Sequence, residues 1–129
     1  MAKLVYTPAK GLIQESGSGL EIKGVPITVT QESVTVLTSA TATLSNHGVS
    51  LITTSGGASG TITLPNGTAP GEMKLIVLET DGGNATLSVT NHHTSDPETF
   101  EAVDAGDCLV LVWEGTQWNT VQLGGWAAT

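Results

Sequence analysis

The sequence predicts an all-β fold, specifically a single antiparallel β-sandwich or barrel of the jelly-roll kind with an extended N-terminal arm. Short segments alternate apolar residues with threonine at a period of two, which places one face of each segment on a core. Turn signals rich in Gly, Asp and Asn separate these segments by about 8–12 residues, as in sandwiches and barrels. No ten-residue window shows helical periodicity, and only 12% of the residues are charged, so helix-forming Lys, Arg and Glu are scarce.

Ten segments carry the strand pattern. The run 73–79 is almost continuously apolar, which predicts a central strand, and the turn signal 81–84 predicts that 85–89 pairs back against it. The segments 109–113 and 117–123 flank 114–116 and predict the last β-hairpin. The predicted strands are 26–30, 33–38, 40–44, 49–53, 61–65, 73–79, 85–89, 99–103, 109–113 and 117–123.

The chain divides into an arm at 1–24, a body at 25–123 and a C-terminal tail at 124–129. Glycines and a proline interrupt short apolar pairs in the arm, and 16–19 is linker-like. The arm is nevertheless too apolar for a free tail, which predicts that it docks on its own domain or on a neighbour; a solvated tail with chance lysines is the alternative. The predicted assembly contacts in the arm are Lys3, Leu4, Val5, Tyr6, Lys10, Leu12 and Ile13.

The charge distribution argues against a nucleic-acid partner. The formal net charge is −8, there is no arginine, and three of the four lysines lie in the first 23 residues. The N-terminus lacks the apolar core of a signal peptide and no stretch approaches a transmembrane length, which predicts synthesis in a cytoplasm and no membrane partner. The single cysteine, Cys108, sits in an apolar run and is expected to behave as a small hydrophobic residue.

The sequence offers little that resembles catalytic chemistry, and we expect no enzyme activity and no cofactor. His92 and His93 with Asp96 form the one cluster that resembles metal ligands. Adjacent strand residues point to opposite faces, so both imidazoles could bind one ion only from a loop. An exposed polar loop is the favoured interpretation, and no metal site is predicted.

The three tryptophans lie near the C-terminus. Trp113 and Trp118 flank the last turn, where a cross-strand pair is favoured over a carbohydrate-stacking platform. Trp126 stands on a Gly-rich terminus with little of its own domain to pack on. Because aromatic residues are enriched at interface anchors, Trp126 is predicted to contact another subunit.

From about Ala40 onward the sequence resembles β-rich domains of tailed-phage virion proteins, namely capsid decoration (cement) proteins and head-fibre domains. The resemblance rests on Gly-Thr-Ile-Thr-Leu-Pro-Asn-Gly-Thr (60–68), Gly-Glu-Met-Lys-Leu-Ile-Val-Leu (71–78), Asp-Gly-Gly-Asn-Ala-Thr-Leu (81–87) and Gly-Asp-Cys-Leu-Val-Leu-Val-Trp-Glu-Gly-Thr-Gln-Trp (106–118). It covers roughly the last two-thirds of the chain and leaves the first 24 residues unplaced. It implies a trimeric subunit on the capsid surface of a virion, bound to the major capsid protein lattice without catalysis.

The leading hypothesis is therefore a capsid decoration protein whose arm clamps onto the major capsid protein or onto a neighbouring decoration subunit. Strand addition at an exposed sheet edge is the expected mode of that contact. The alternative is a fibre knob that binds a host glycan or receptor through aromatic residues and the polar loop 91–98. A small metal-dependent hydrolase is the third hypothesis.

Overall fold

The computed structural model describes residues 4–7, 11–14, 29–37, 40–57, 60–95 and 97–129, the first two ranges by their backbone alone. These residues form twelve strands and no helix, so the all-β prediction is confirmed. The strands are β1 Leu4–Thr7, β2 Gly11–Gln14, β3 Gln31–Val36, β4 Thr41–Thr43, β5 Gly48–Thr54, β6 Thr61–Leu64, β7 Met73–Thr80, β8 Ala85–Val89, β9 Glu98–Ala102, β10 Cys108–Trp113, β11 Trp118–Gly124 and β12 Ala127–Ala128.

The strands form two five-stranded sheets and one small hairpin. Sheet I has the order β11-β10-β7-β5-β3 and sheet II the order β12-β9-β8-β6-β4, while β1 and β2 pair with each other. Strand β7 lies in the middle of sheet I, as its apolar run predicts. The two sheets remain separate sheets, so the fold is not a closed barrel.

The prediction of antiparallel sheets is wrong, because both sheets are mixed. In sheet I, β3, β5 and β7 are parallel, and in sheet II so are β4, β6 and β8; the remaining pairs in both sheets are antiparallel. From β3 to β8 the chain alternates between the sheets. Successive strands of one sheet are therefore separated by a strand of the other and run in the same direction.

The predicted hairpin across 81–84 is also wrong. Both edges of β7 are already occupied, by β5 and by β10, so β8 cannot pair with it. The turn at 81–84 instead carries the chain across to sheet II, where β8 lies between β6 and β9. Thr54 fixes this crossing, since its Oγ1 accepts a hydrogen bond from the amide of Gly82 and donates one to the carbonyl of Gly83 at 2.6 Å.

The last hairpin is confirmed: β10 pairs with β11 in antiparallel register, with Trp113 opposite Trp118. Residues 124–129, predicted as a tail, belong to the body. They contain β12, which pairs with β9 at the edge of sheet II, and the amide of Thr129 donates to the carbonyl of Thr99 at 2.9 Å.

The buried hydrophobic side chains of both sheets belong to one core cluster. Along β5, β6, β7, β8, β9 and β10, buried positions alternate with partly exposed ones. The pleat of a strand explains this alternation and sends every second side chain outward. The core cluster comprises Val36, Leu44, Ile52, Ile62, Leu64, Ile76, Leu78, Ala85, Leu87, Val89, Phe100, Ala102, Leu109, Leu111, Trp113, Trp118 and Trp126.

Candidate functional site

The outward side of sheet I is apolar on its three central strands, β5, β7 and β10. The buried residues of β5, β7 and β10 point inward, so the residues between them form the outer surface. The strand register aligns Val49 with Leu75 and Val110 in one row across the three strands. We call this surface the apolar face. It consists of Val49, Leu51, Met73, Leu75, Val77, Val110 and Val112.

One end of the apolar face is an open groove of about 520 Å³. Its walls include Val49, Met73, Leu75 and Val110, and Val29 stands beside them just before β3 begins. Met73 is 57% exposed and Val29 67% exposed, although both side chains are large and apolar. Contiguous exposed apolar surface of this kind marks interaction sites in soluble proteins.

The outward side of sheet II has the opposite chemistry. Its register aligns Thr43 with Thr63, Ser88 and Thr99, one hydroxyl from each of four neighbouring strands. A second row aligns Thr41 with Thr61, Thr86 and Glu101. We call this surface the polar face. The two outer surfaces therefore differ, one presenting Val, Leu and Met and the other hydroxyl groups that water solvates readily.

A buried ion pair lies beneath one end of the apolar face. Lys74 points inward from β7 and is 0% exposed, and its Nζ donates to Glu32 Oε1 at 2.9 Å. The ammonium also donates to Ser45 Oγ at 3.1 Å and to the carbonyl of His47 at 3.3 Å, so three acceptors surround its three protons. Ser50 Oγ donates to the same Glu32 oxygen at 2.5 Å. The network joins β3, β5, β7 and the β4–β5 connection.

The environment shifts both titratable groups of this pair. Partial burial alone would raise the pKa of Glu32, but hydrogen bonds from Ser50, Lys74 and Ser45 and the charge of Lys74 outweigh it and lower the pKa to about 2. Burial lowers the pKa of Lys74, and the hydrogen bond and charge of Glu32 oppose that shift. A closed network with both partners engaged is typical of a group that fixes local structure.

The predicted histidine cluster forms a second, smaller pocket of about 250 Å³. His92 is buried, with its Nδ1 2.8 Å from Thr94 Oγ1 and its Nε2 2.9 Å from Thr120 Oγ1. Burial and the neighbouring His93 lower the pKa of His92, and the nearby carboxylate of Glu98 opposes them. Both ring nitrogens of His92 are thus occupied by hydroxyl groups.

The described residues contain no group of three or more His, Cys, Asp or Glu side chains arranged to hold a metal ion. Asp96, the third member of the cluster proposed from the sequence, lies outside the described residues. His92 and His93 come together, with ring centroids 4.4 Å apart. The prediction of an exposed polar loop fails for His92, because it packs edge-to-face on Phe100 beneath that loop.

Trp113 and Trp118 form the predicted cross-strand pair. Their rings meet edge-to-face at a centroid distance of 5.4 Å, and the two residues are 4% and 0% exposed. Trp118 Nε1 donates to the carbonyl of Pro65 at 2.9 Å. A carbohydrate-stacking platform needs exposed ring faces, and this pair offers none.

The structure corrects the premise behind the predicted subunit contact at Trp126. The sequence suggested that this side chain had little of its own domain to pack on, and that is wrong, because Trp126 is 2% exposed and belongs to the core cluster. The positive φ of Gly125 turns the chain from sheet I towards sheet II at this point, which brings the indole inward. A contact through Trp126 would require the C-terminal segment to leave the core.

The remaining predicted contacts belong to the N-terminal segment. Lys3 and Lys10 lie outside the described residues, as do the side chains of Leu4, Val5, Tyr6, Leu12 and Ile13. The backbones of Leu4–Thr7 and Gly11–Gln14 form the β1–β2 hairpin, in which Val5 is opposite Ile13 and Tyr6 is opposite Leu12.

Sequence reasoning missed the apolar face, although a signal for it was present. Runs such as 73–78 and 108–113 are apolar on both strand faces, whereas a strand with one solvated face alternates. Those runs indicated burial on both sides, and among the described residues only the inward side of each run is fully buried. The Glu32–Lys74 pair, 42 residues apart, had no local signal.

Comparison with known proteins leaves the family of this chain open. No protein-family model matches it, and no curated protein matches it either. Among the described residues, no helix is long and apolar enough to cross a membrane.

Proposed function

We propose that this chain is a non-catalytic structural subunit that works inside a larger protein assembly, with the apolar face as a subunit contact. The observation that carries the proposal is the row of Val49, Leu75 and Val110 with exposed Met73 beside it, on the outward side of a well-formed sheet. Covering such a face removes apolar surface from water, at about 25 cal/mol per Å². Between Met73 and Val77 the outward residues of β7 are uncharged, and the first charged one is Glu79 near the end of the strand, so a partner covering the rows of this face desolvates no charge there.

The most specific form of the proposal is a virion capsid decoration protein. The resemblance of 60–68, 71–78, 81–87 and 106–118 to phage virion domains supports it, as does a two-layer body preceded by an apolar arm. In this form the chain forms a homo-oligomer, with a trimer as the expected size, and binds the major capsid protein lattice on the virion surface. Two dissimilar outer faces suit a subunit that contacts its neighbours on one side and water on the other.

The alternative of a glycan-binding knob loses its main support in this chain. That hypothesis depended on aromatic stacking, and both Trp113 and Trp118 lie in the core. A glycan array on the intact chain distinguishes the two proposals. A specific signal there would favour the knob.

Co-sedimentation tests the decoration proposal directly. Purified chain is mixed with shells assembled from the major capsid protein that is encoded with it, and the pelleted fraction is measured against concentration. The proposal predicts saturable binding at a fixed ratio of subunits to shell. Absence of binding, or binding that never saturates, would contradict it.

A further inference from the structure

We propose that the apolar face receives the N-terminal β1–β2 hairpin of a second copy of this chain. This inference rests on the proposed role of the face as a subunit contact and names the segment that occupies it. Each copy then donates one hairpin and receives another, so the contact is head-to-tail and can close into a ring.

Among the residues that the structure describes, the face is left open. Met73 is 57% exposed and Val29 67% exposed, and the groove that both residues line has a volume of about 520 Å³. The groove lies at the point where the N-terminal segment enters the body, because Val29 and Thr30 form part of its wall. A further segment can therefore dock in it.

The β1–β2 hairpin needs another element to pack against. Among the described strands, β1 and β2 pair only with each other. An isolated two-stranded hairpin is at best marginally stable in water and requires packing against another element. Its sequence supplies the apolar residues for such packing, with Val5 opposite Ile13 and Tyr6 opposite Leu12 in the register.

Two groups of a second copy could cover the apolar face, its hairpin or its own apolar face. The charge distribution favours the hairpin. Residues 3–14 carry two lysines and no acid, whereas residues 29–129 carry one lysine against ten acids. Pairing two apolar faces would bring two strongly acidic bodies together. A hairpin that carries Lys3 and Lys10 is attracted to such a body, so charge favours its docking.

The connecting segment is long enough for exchange between copies. Fourteen residues separate Gln14 from Val29, and an extended segment of that length spans up to roughly 50 Å. That reach exceeds the length of any strand in sheet I, since even the eight-residue β7 extends over only about 27 Å. A hairpin can therefore reach the face of a neighbouring copy.

The test uses the full chain in three variants, with light scattering for mass and circular dichroism to verify folding. Met73→Glu places a charge on the receiving face. Val5→Glu/Tyr6→Glu places charges on the donated hairpin, and because adjacent strand residues point to opposite sides, one of them falls on the docking side. Thr61→Glu adds the same charge to an exposed position on the polar face and is the matched control.

We expect the wild-type chain and Thr61→Glu to be oligomers of equal mass, and the other two variants to be monomers. An equimolar mixture of the two monomeric variants should form a species of twice the monomer mass, because one retains its hairpin and the other its face.

A mixture that stays monomeric overturns the inference. If Val5→Glu/Tyr6→Glu keeps the wild-type mass while Met73→Glu does not, the face is a contact but its occupant is not the hairpin. A monomeric wild-type chain, or Met73→Glu with wild-type mass, contradicts both the inference and the proposed contact.

Discussion

At the scale of single residues, the ion pair between fully buried Lys74 and partly buried Glu32 carries a large desolvation cost. Moving an ammonium group out of water costs several kcal/mol, and the cost is offset only if charge and hydrogen bonds compensate it. Here Glu32, Ser45 and the carbonyl of His47 surround the ammonium. The pair links β3 and β7, which are far apart in the sequence, at one end of the core. Any strand register that separates Glu32 from Lys74 leaves the buried ammonium unpaired.

The pH dependence of stability should reveal this pair. Because the pKa of Glu32 falls from 4.5 to about 2 on folding, the ionised carboxylate stabilises the folded chain fully above pH 4.5. That contribution is lost as the pH falls from about 4.5 towards 2. We expect the difference in unfolding free energy between the wild-type chain and Glu32→Gln, measured by urea denaturation, to shrink across this window.

Glu79→Gln is the matched control for that measurement, because Glu79 lies exposed near the end of the same strand as Lys74. Its curve is measured alongside, so that the loss of one carboxylate on the same strand is accounted for. Glu72 and Glu98 also have pKa values lowered by hydrogen bonds from Thr68 and Thr94, so the wild-type curve alone cannot isolate Glu32. A pH-independent difference for Glu32→Gln would contradict the assignment of the network.

At the scale of elements, the parallel pairing of β3 with β5 depends on a close backbone approach at Gly48. This residue has a φ of 79°, and a Cβ added to it would overlap the backbone carbonyl oxygen of Thr30. The same carbonyl accepts a hydrogen bond from the amide of Val49 at 2.8 Å. The glycine therefore allows the chain ahead of β3 to lie against the start of β5.

Gly48→Ala should destabilise the chain more than Gly71→Ala. Both positions have positive φ, which costs a non-glycine residue about 1–2 kcal/mol. A Cβ at Gly71 meets nothing within 4 Å, whereas one at Gly48 overlaps backbone that cannot move without breaking the Thr30–Val49 bond. Urea unfolding of the two variants measures the difference, and equal losses would contradict the close approach.

Strand positions were predictable from the sequence, but strand partners were not. Alternation located β6 and β8 closely, because a period of two depends only on local residues. The same alternation is compatible with parallel and with antiparallel neighbours in either sheet. The local sequence therefore did not indicate that β8 pairs with β6 and not with β7. The hairpin of β10 and β11 was predictable because a short turn and two flanking tryptophans join adjacent segments.

At the scale of the whole molecule, the two outer surfaces show where the threonines and the apolar runs of the sequence lie in the fold. Six threonines, in rows such as Thr43 and Thr63, lie on the polar face of sheet II, where water can solvate their hydroxyl groups. The apolar runs of β7 and β10 provide both the core and the apolar face. Sequence reasoning assigned the assembly contacts to the arm and to Trp126; the structure places Trp126 in the core and adds a face of sheet I as the proposed receiver.

Solvent protection of Met73 is the most direct sign that the apolar face is covered in an assembly, because this side chain is 57% exposed in the single chain and lies on that face. An exposed thioether is oxidised readily to the sulfoxide, and a covered one is not. The oxidation rate of Met73 is measured by mass spectrometry over a dilution series of the full-length chain, with Leu75→Glu as the unassembled reference. We expect slow oxidation in concentrated wild-type samples, with a rate that rises on dilution to that of Leu75→Glu. A rate that is independent of concentration and equal to that of the variant would contradict it.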